Sequence, residues 1–247
     1  MTQTLHRFFG LSVLVLMMFF QACGRISISD DCECGFYTIS GTQKKMHWPD
    51  GTKIQMKFDA SFPEAQRFAV EAAMDTYNKT LDKTTFDLAQ SRNSSGDIVW
   101  SQEAPAMGEN PKKVNGDGIN GIYWITEEWP WQKTDPNSDA MTVIQFNKDG
   151  IAEADVYFKA ESYGKTTITD EKAKALFSPQ EGFNILDTDA SIKWVYLLAA
   201  HELGHVLGRT HNDEDHSVMN GSVEFGILAN PFSDFDKEIL SSVYSLK

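Results

Sequence analysis

Basic residues are in short supply: 22 Lys or Arg stand against 35 Asp or Glu in 247 residues, a formal net charge of −13. The acidity is spread along the chain, and no basic stripe interrupts it. Tracking along a nucleic acid needs clustered cations to replace counterions, so no nucleic-acid partner is expected. Long apolar runs are missing too. The run Phe8 to Phe20 covers 13 residues, against the roughly 20 that a helix needs to cross a bilayer. There is no internal repeat, and no bias strong enough for a collagen, a low-complexity tail or a disordered chain. What remains is 41% apolar, 12% aromatic and 23% charged. That balance is ordinary for a globular chain with one sizeable domain.

Cysteine is scarce, with three in the chain. His6 and Arg7 precede the Phe8–Phe20 run, the layout of a secretory signal. The run ends at Phe20-Gln-Ala-Cys23, which resembles a bacterial lipobox with Cys23 as the lipidated first residue. Phe20 and Gln21 depart from the Leu and small residue usual there, and a simple cleaved signal with an incidental Cys23 is the alternative. Spending Cys23 on lipid leaves Cys32 and Cys34, which are open to a strained bridge, a metal or the reduced state. Residues 1–22 thus read as a signal peptide. Residues 23–45, rich in Ser, Gly, Thr and charge, read as a flexible tether. The chain is expected to be exported and held at the cell envelope through a lipid anchor, or otherwise secreted.

From Met46 the texture becomes that of packed elements. Lys53 to Phe58 alternates polar and apolar, a strand pattern. Ser61-Phe-Pro-Glu64 predicts a helix start capped by Ser61, and Ala65, Phe68, Ala69, Ala72, Ala73 and Tyr77 then share one face. Asp97–Trp100, Gly121–Thr126 and Met141–Phe146 read as strands, with Asn147-Lys-Asp-Gly150 as a hairpin turn. Ile151 to Lys159 alternates most clearly, with Ala152, Ala154, Val156 and Phe158 opposite Glu153, Asp155, Tyr157 and Lys159. One buried and one polar face suit an antiparallel or edge strand. A long helix is expected from Asp189 or Ser191 into His201, and a capped amphipathic one from Ser233. The fold class is α+β.

The chemistry concentrates in residues 201–211, His-Glu-Leu-Gly-His-Val-Leu-Gly-Arg-Thr-His, which hold three of the chain's six histidines. On a helix, i and i+4 share a face, so His201 and His205 converge on one ion. Glu202 is rotated away from them, better placed to reach a water on the metal than to ligate it. Gly208 tolerates positive φ and turns the chain, and His211 returns as a third ligand. Three imidazoles leave one corner of a tetrahedral Zn²⁺ open, the arrangement of catalytic zinc. A closed structural site would need a fourth protein ligand, and no Cys lies near.

This eleven-residue string resembles that of the metzincin metallopeptidases, whose motif runs on to a methionine turn; Met219 in Ser217-Val-Met219 matches it. The order of elements is similar to matrixin catalytic domains. The resemblance implies a zincin-like twisted mixed sheet with an antiparallel edge strand, two long helices and a C-terminal helix. It divides 46–247 into an upper subdomain, 46–208, and a lower one, 209–247. It also implies zinc on His201, His205 and His211, Glu202 as general base and acid, Met219 as an apolar floor and Gly208 as the turn. Ile151–Lys159 would be the strand that edges the cleft and pairs with extended substrate. The implied activity is endoproteolysis of protein or peptide substrates by a monomer.

The departures from the family are specific. Gly221 stands where some metzincins have a tyrosine, so no tyrosine is expected there to assist the oxyanion. Asn220-Gly-Ser-Val223 lacks the Pro-x-Tyr wall of animal matrixins. Structural Ca²⁺ has candidate positions in the acidic turns 115–118, 135–139 and 147–150, although ordinary turns explain them as well. Trp124, Trp129 and Trp131 suit either a substrate surface or the core. His216 and Asp213-Glu-Asp215 read as surface. The rival to an enzyme is a membrane-tethered binding or structural lipoprotein whose zinc site does no catalysis.

Overall fold

The alternation in Lys53–Phe58 has a direct structural result: Ile54, Met56 and Phe58 point into one core. The computed structural model describes residues 28–29, 35–40, 42–87, 90–92, 98–100, 104, 107, 116–163, 190–221 and 232–247. The signal segment with Cys23, the pair Cys32 and Cys34, Asn115, Asp189, Ser222 and Val223 lie outside them. Strands run in chain order as β1 (Ile28–Ser29), β2 (Thr38–Ile39), β3 (Lys53–Phe58), β4 (Thr85–Asp87), β5 (Gln90–Arg92), β6 (Ile98–Trp100), β7 (Asn120–Ile125), β8 (Ala140–Phe146) and β9 (Ile151–Lys159). The described α-helices are α1 (Glu64–Thr80), α2 (Ala190–Val206) and α3 (Asp234–Ser241). The fold is α+β with a mixed sheet, in keeping with what the resemblance implies.

Five strands form that sheet in the order β4-β3-β7-β9-β8. β3 pairs in parallel with β4 and β7, and β7 with β9; β8 alone runs antiparallel, against β9. Ile122, Trp124, Val156 and Phe158 join the β3 residues in packing against α1 and α2. The opposite face is covered as well. There Tyr123, Ile125, Tyr157, Trp129 and Trp131 make a second apolar cluster, so the three tryptophans are core residues.

Three expectations need correcting. β9 is interior and the edge belongs to β8. The side of β9 that looks polar in sequence is buried because its acids have partners: Glu153 accepts from the Gly116 and Gly118 amides at 2.8 and 2.9 Å, and Asp155 from that of Gly121 at 2.7 Å. Tyr157 stacks on Tyr123 beside them, with centroids 5.0 Å apart. Ser61 does not cap α1. Pro63 occupies the cap position without a side-chain bond, and the Ser61 hydroxyl turns to Asp59 instead.

The tether, finally, does not extend to residue 45. Phe36 is fully buried and bridges to Arg209, Thr38 bridges to Lys45, and the Met46 amide donates to Tyr37 O at 2.7 Å. Two adjacent aromatics in a polar stretch give too little periodicity to reveal this strap, whose partner is the turn after α2. At the other end Ser233 caps α3 as expected, in a reciprocal capping box with Asp236.

Candidate metal centre

α2 carries the first part of the motif. It is apolar almost all round, with Val195, Leu197, Ala199, Ala200 and Leu203 buried, as a helix wedged between sheet and lower segment should be. Tyr77 on α1 donates to Ala200 O at 2.8 Å. The sulfur of Met219 lies so close to Gly204 that a Cβ there would stand 2.2 Å from it. Gly204 therefore lets the methionine floor reach the helix backbone between the two histidine turns. Spacing alone did not single Gly204 out.

The last carbonyls of a helix have no partner within it, and here three parts of the chain supply them. Trp48 Nε1 donates to Val206 O at 2.8 Å, the Tyr244 hydroxyl to Leu207 O at 2.8 Å, and the Tyr37 amide to Gly208 O at 2.9 Å. Gly208 has φ +91°, and a Cβ on it would meet Met46 O at 2.2 Å. Only glycine fits a turn that is both left-handed and pressed against backbone. The Thr210 amide then donates to Gly35 O at 3.1 Å, and His211 follows.

The three rings meet. His211 Nε2 lies 3.1 Å from His201 Nε2 and 3.1 Å from His205 Nε2. Two nitrogens bound to one tetrahedral zinc at about 2.0–2.1 Å stand about 3.3 Å apart, so the donor set fits the ion. Its chemistry fits too. His201 Nδ1 lies 2.7 Å from Val218 O and His205 Nδ1 lies 2.8 Å from Arg209 O. Each Nδ1–H donates to its carbonyl and leaves the Nε2 lone pair for a metal. Burial lowers the proton affinity of His201, to about 4 with help from neighbouring His211, and takes His205 well below its usual range. Both rings are thus neutral, as ligation requires. Among the described residues these three side chains form the one convergent group of three or more His, Cys, Asp or Glu. His216 is exposed and apart from it.

Glu202 lies beside the triad, buried, with Oε2 accepting from the Thr142 hydroxyl at 2.5 Å. Burial raises its pKa to about 7, and the Thr142 hydrogen bond works against the rise. Thr142 sits on β8, so the edge strand and the carboxylate are tied together. Sequence reading missed Thr142, which alternation makes a plain strand residue.

Beneath the site, Arg209 and Asp236 form an ion pair at 2.8 Å with both side chains fully buried. Asp236 also accepts from the Ser217 hydroxyl at 2.6 Å and the Val218 amide at 3.1 Å. The Asn212 amide donates to Met219 O at 3.0 Å, closing the loop that carries the methionine turn. Of the acidic turns, 147–150 is satisfied internally, with Asn147 Oδ1 accepting from the Asp149 and Gly150 amides. The amides of Gly116 and Gly118 are likewise spent on Glu153.

A cleft of about 460 Å³ runs past the triad, lined by Tyr37, Asp135, Asp139, Ala140–Thr142, Trp194, Leu198 and Gly221 as well as the three histidines and Glu202. Gly221 leaves that wall bare, with open space where a side chain would start. The matrixin family model, peptidase family M10, matches residues 126–245, from the loop after β7 to the C-terminal turn. No curated protein matches the chain.

Proposed function

We propose, from the premise that this chain is a matrixin zinc metallopeptidase, that it is an endopeptidase working through Glu202 on extended substrate. The observation that carries the reading is the convergence of three Nε2 atoms beside a buried carboxylate in an open cleft. His201, His205 and His211 would hold the zinc. Bound there, zinc supplies Lewis acidity, bringing water toward a pKa near 7 and countering charge on a carbonyl oxygen. Glu202 takes the proton from the attacking water and returns it to the leaving amine. Its raised pKa suits both transfers near neutral pH, and Thr142 fixes the carboxylate by one oxygen.

Substrate lies along β8, whose outer edge has no strand partner among the described residues. Antiparallel addition is the more stable pairing, and it sets the substrate's N-terminal half toward Phe146 and its C-terminal half toward Ala140. Asp135 and Asp139 line the Ala140 end, where a free carboxylate would be repelled. Tyr37 marks the other end and offers no anion for a free amine. Among the described residues neither end offers a group to hold a chain terminus, which favours internal cleavage.

The same reading has the chain exported and anchored at the envelope by a lipid on Cys23. Since β1 already pairs with β2, Ile28 opposite Ile39, four residues, 24–27, separate that anchor from the first paired strand. Fully extended they reach at most about 14 Å, so the domain works close to the surface that holds it.

Casein hydrolysis by the purified chain tests the proposal. Activity should vanish with a chelator and return on adding about one equivalent of Zn²⁺. A chain that binds zinc and cleaves neither casein nor gelatin would instead be the non-catalytic lipoprotein.

A further inference from the structure

We propose that Asp135 is a specificity-determining residue, seating a Lys or Arg side chain of the substrate within about three residues after the scissile bond. The inference rests on the endopeptidase reading and deepens it, from any extended peptide to one that is basic past the cut. The cleft is a substrate site on grounds that do not involve this acid. Three imidazoles converge beside it, and Glu202, 5% exposed, lines it with Oε1 unbonded among the described residues. Asp135 adds charge to that cleft. No Lys or Arg is among the described residues that line it, while Asp135 and Asp139 stand at the Ala140 end.

The local sequence explains why this carboxylate is left for the cleft. Pro136 follows Asp135 and disfavours helical backbone there. Both backbone polar groups of Asp135 are used inward: the amide donates to Trp131 O at 2.7 Å, and the carbonyl accepts from Trp129 Nε1 at 3.3 Å. Trp129 and Trp131 are buried in the second apolar cluster, so the turn is pinned to the sheet. Lys159, which reaches this loop, is spent on Glu161 at 2.9 Å and on Pro136 O at 3.2 Å. The exposed Asp135 carboxylate itself has no hydrogen bond or ion pair among the described residues. It acts on His211 across the cleft, where its charge opposes the burial that lowers the proton affinity of that ring. Its oxygens nevertheless stay out of the convergent group whose ligand atoms lie within 4.8 Å of one another. The charge is thus available to something other than the metal.

Position follows from the strand. Thr142 is bonded to Glu202 and so marks the scissile bond. Ala140, where β8 begins, lies about 7 Å back along the strand, and residues 135–139 lead into it. An antiparallel substrate has its C-terminal half at this end, so the side chains within reach of Asp135 are those just after the cut. A Lys or Arg there gains a charge-assisted hydrogen bond, and its long stem carries the head to the exposed mouth of the cleft. An acidic side chain meets two like charges instead.

Cleavage-site profiling of the zinc-loaded wild type, Asp135→Asn and Asp135→Lys against a peptide library tests this. The wild type should be enriched in Lys and Arg within about three positions after the cut. At low salt, kcat/KM for such peptides should exceed that of their Ala counterparts about fivefold, the upper end for an exposed ion pair. Asp135→Asn should bring the two to within about twofold of each other, and Asp135→Lys should turn the preference toward Asp and Glu. Salt at about 1 M should erase the wild-type preference, which a seat made by shape alone would keep. Zinc content should be the same in all three. A wild type with no basic preference, a basic preference before the cut, or one that survives Asp135→Asn would overturn the proposal. The same peptides titrated by fluorescence anisotropy onto zinc-loaded Glu202→Ala, with and without Asp135→Asn, separate the two readings. If the wild type cleaves nothing, the endopeptidase reading fails. The seat then stands if Asp135→Asn abolishes an about fivefold tighter binding of Lys peptides, and falls if Lys and Ala peptides bind equally.

Discussion

Glu202→Ala is expected to retain one zinc per chain and to lose peptide hydrolysis by about 10²–10⁴-fold, the range a general acid–base group contributes. Glu202 is not a member of the convergent imidazole group, so its removal takes away a proton acceptor and no ligand. Oε2 is held by Thr142, and the carboxylate lines the cleft. Glu202→Gln makes the test stricter. It keeps the shape and can keep the Thr142 contact, yet it cannot take a proton, so its loss should equal that of the alanine variant. Zinc content by atomic absorption, read beside kcat/KM on one peptide, separates a failed base from a failed site. Near wild-type turnover in either variant would remove Glu202 from the mechanism.

Asp236→Ala should be the most damaging substitution for stability, lowering it by about 3–5 kcal/mol as expected when one partner of a buried pair is removed. The Arg209 guanidinium, with its side chain fully buried, would be left without this counterion. The reciprocal half of the α3 capping box would go as well, since Asp236 Oδ2 accepts from the Ser233 amide at 3.1 Å and hydroxyl at 2.9 Å. The consequence reaches the metal centre through two carbonyls. Arg209 O and Val218 O orient His205 and His201, and both residues are bonded to Asp236. Zinc affinity should therefore fall about 10–100-fold, the usual cost of losing an outer partner of the ligands. A melting temperature about 10 °C lower or more is the expected readout for a domain of this size. A wild-type melting curve would contradict the anchoring role.

The local part of this architecture was legible in the sequence. His201, Glu202, His205, Gly208, His211 and Met219 sit at fixed spacings because one helix, one turn and one loop impose them. The alternation of β3, the apolar face of α1 and the Ser233 cap were readable for the same reason. What escaped is what depends on pairing between distant segments. β9 looks half polar because alternation records side-chain type and cannot record that amides from Gly116, Gly118 and Gly121 donate hydrogen bonds to Glu153 and Asp155. The edge position of β8 is a matter of sheet order, which periodicity does not encode. The strap around Phe36 and Tyr37 hides in a polar stretch, since two aromatics there mean nothing until the Gly208 turn is seen beneath them. Arg209 and Asp236 read separately as a charged residue after a helix and an acid in the first turn of another. Only folding makes them a pair.

X-ray absorption at the zinc edge of the purified protein, with crystals to fix ligand identity, tests the central claim most directly. The account predicts one zinc per chain held by the imidazoles of His201, His205 and His211 at about 2.0–2.1 Å, with a solvent oxygen completing four-coordination. A sulfur or a fourth protein ligand in the mature protein, or a zinc that His211 does not reach, would contradict it.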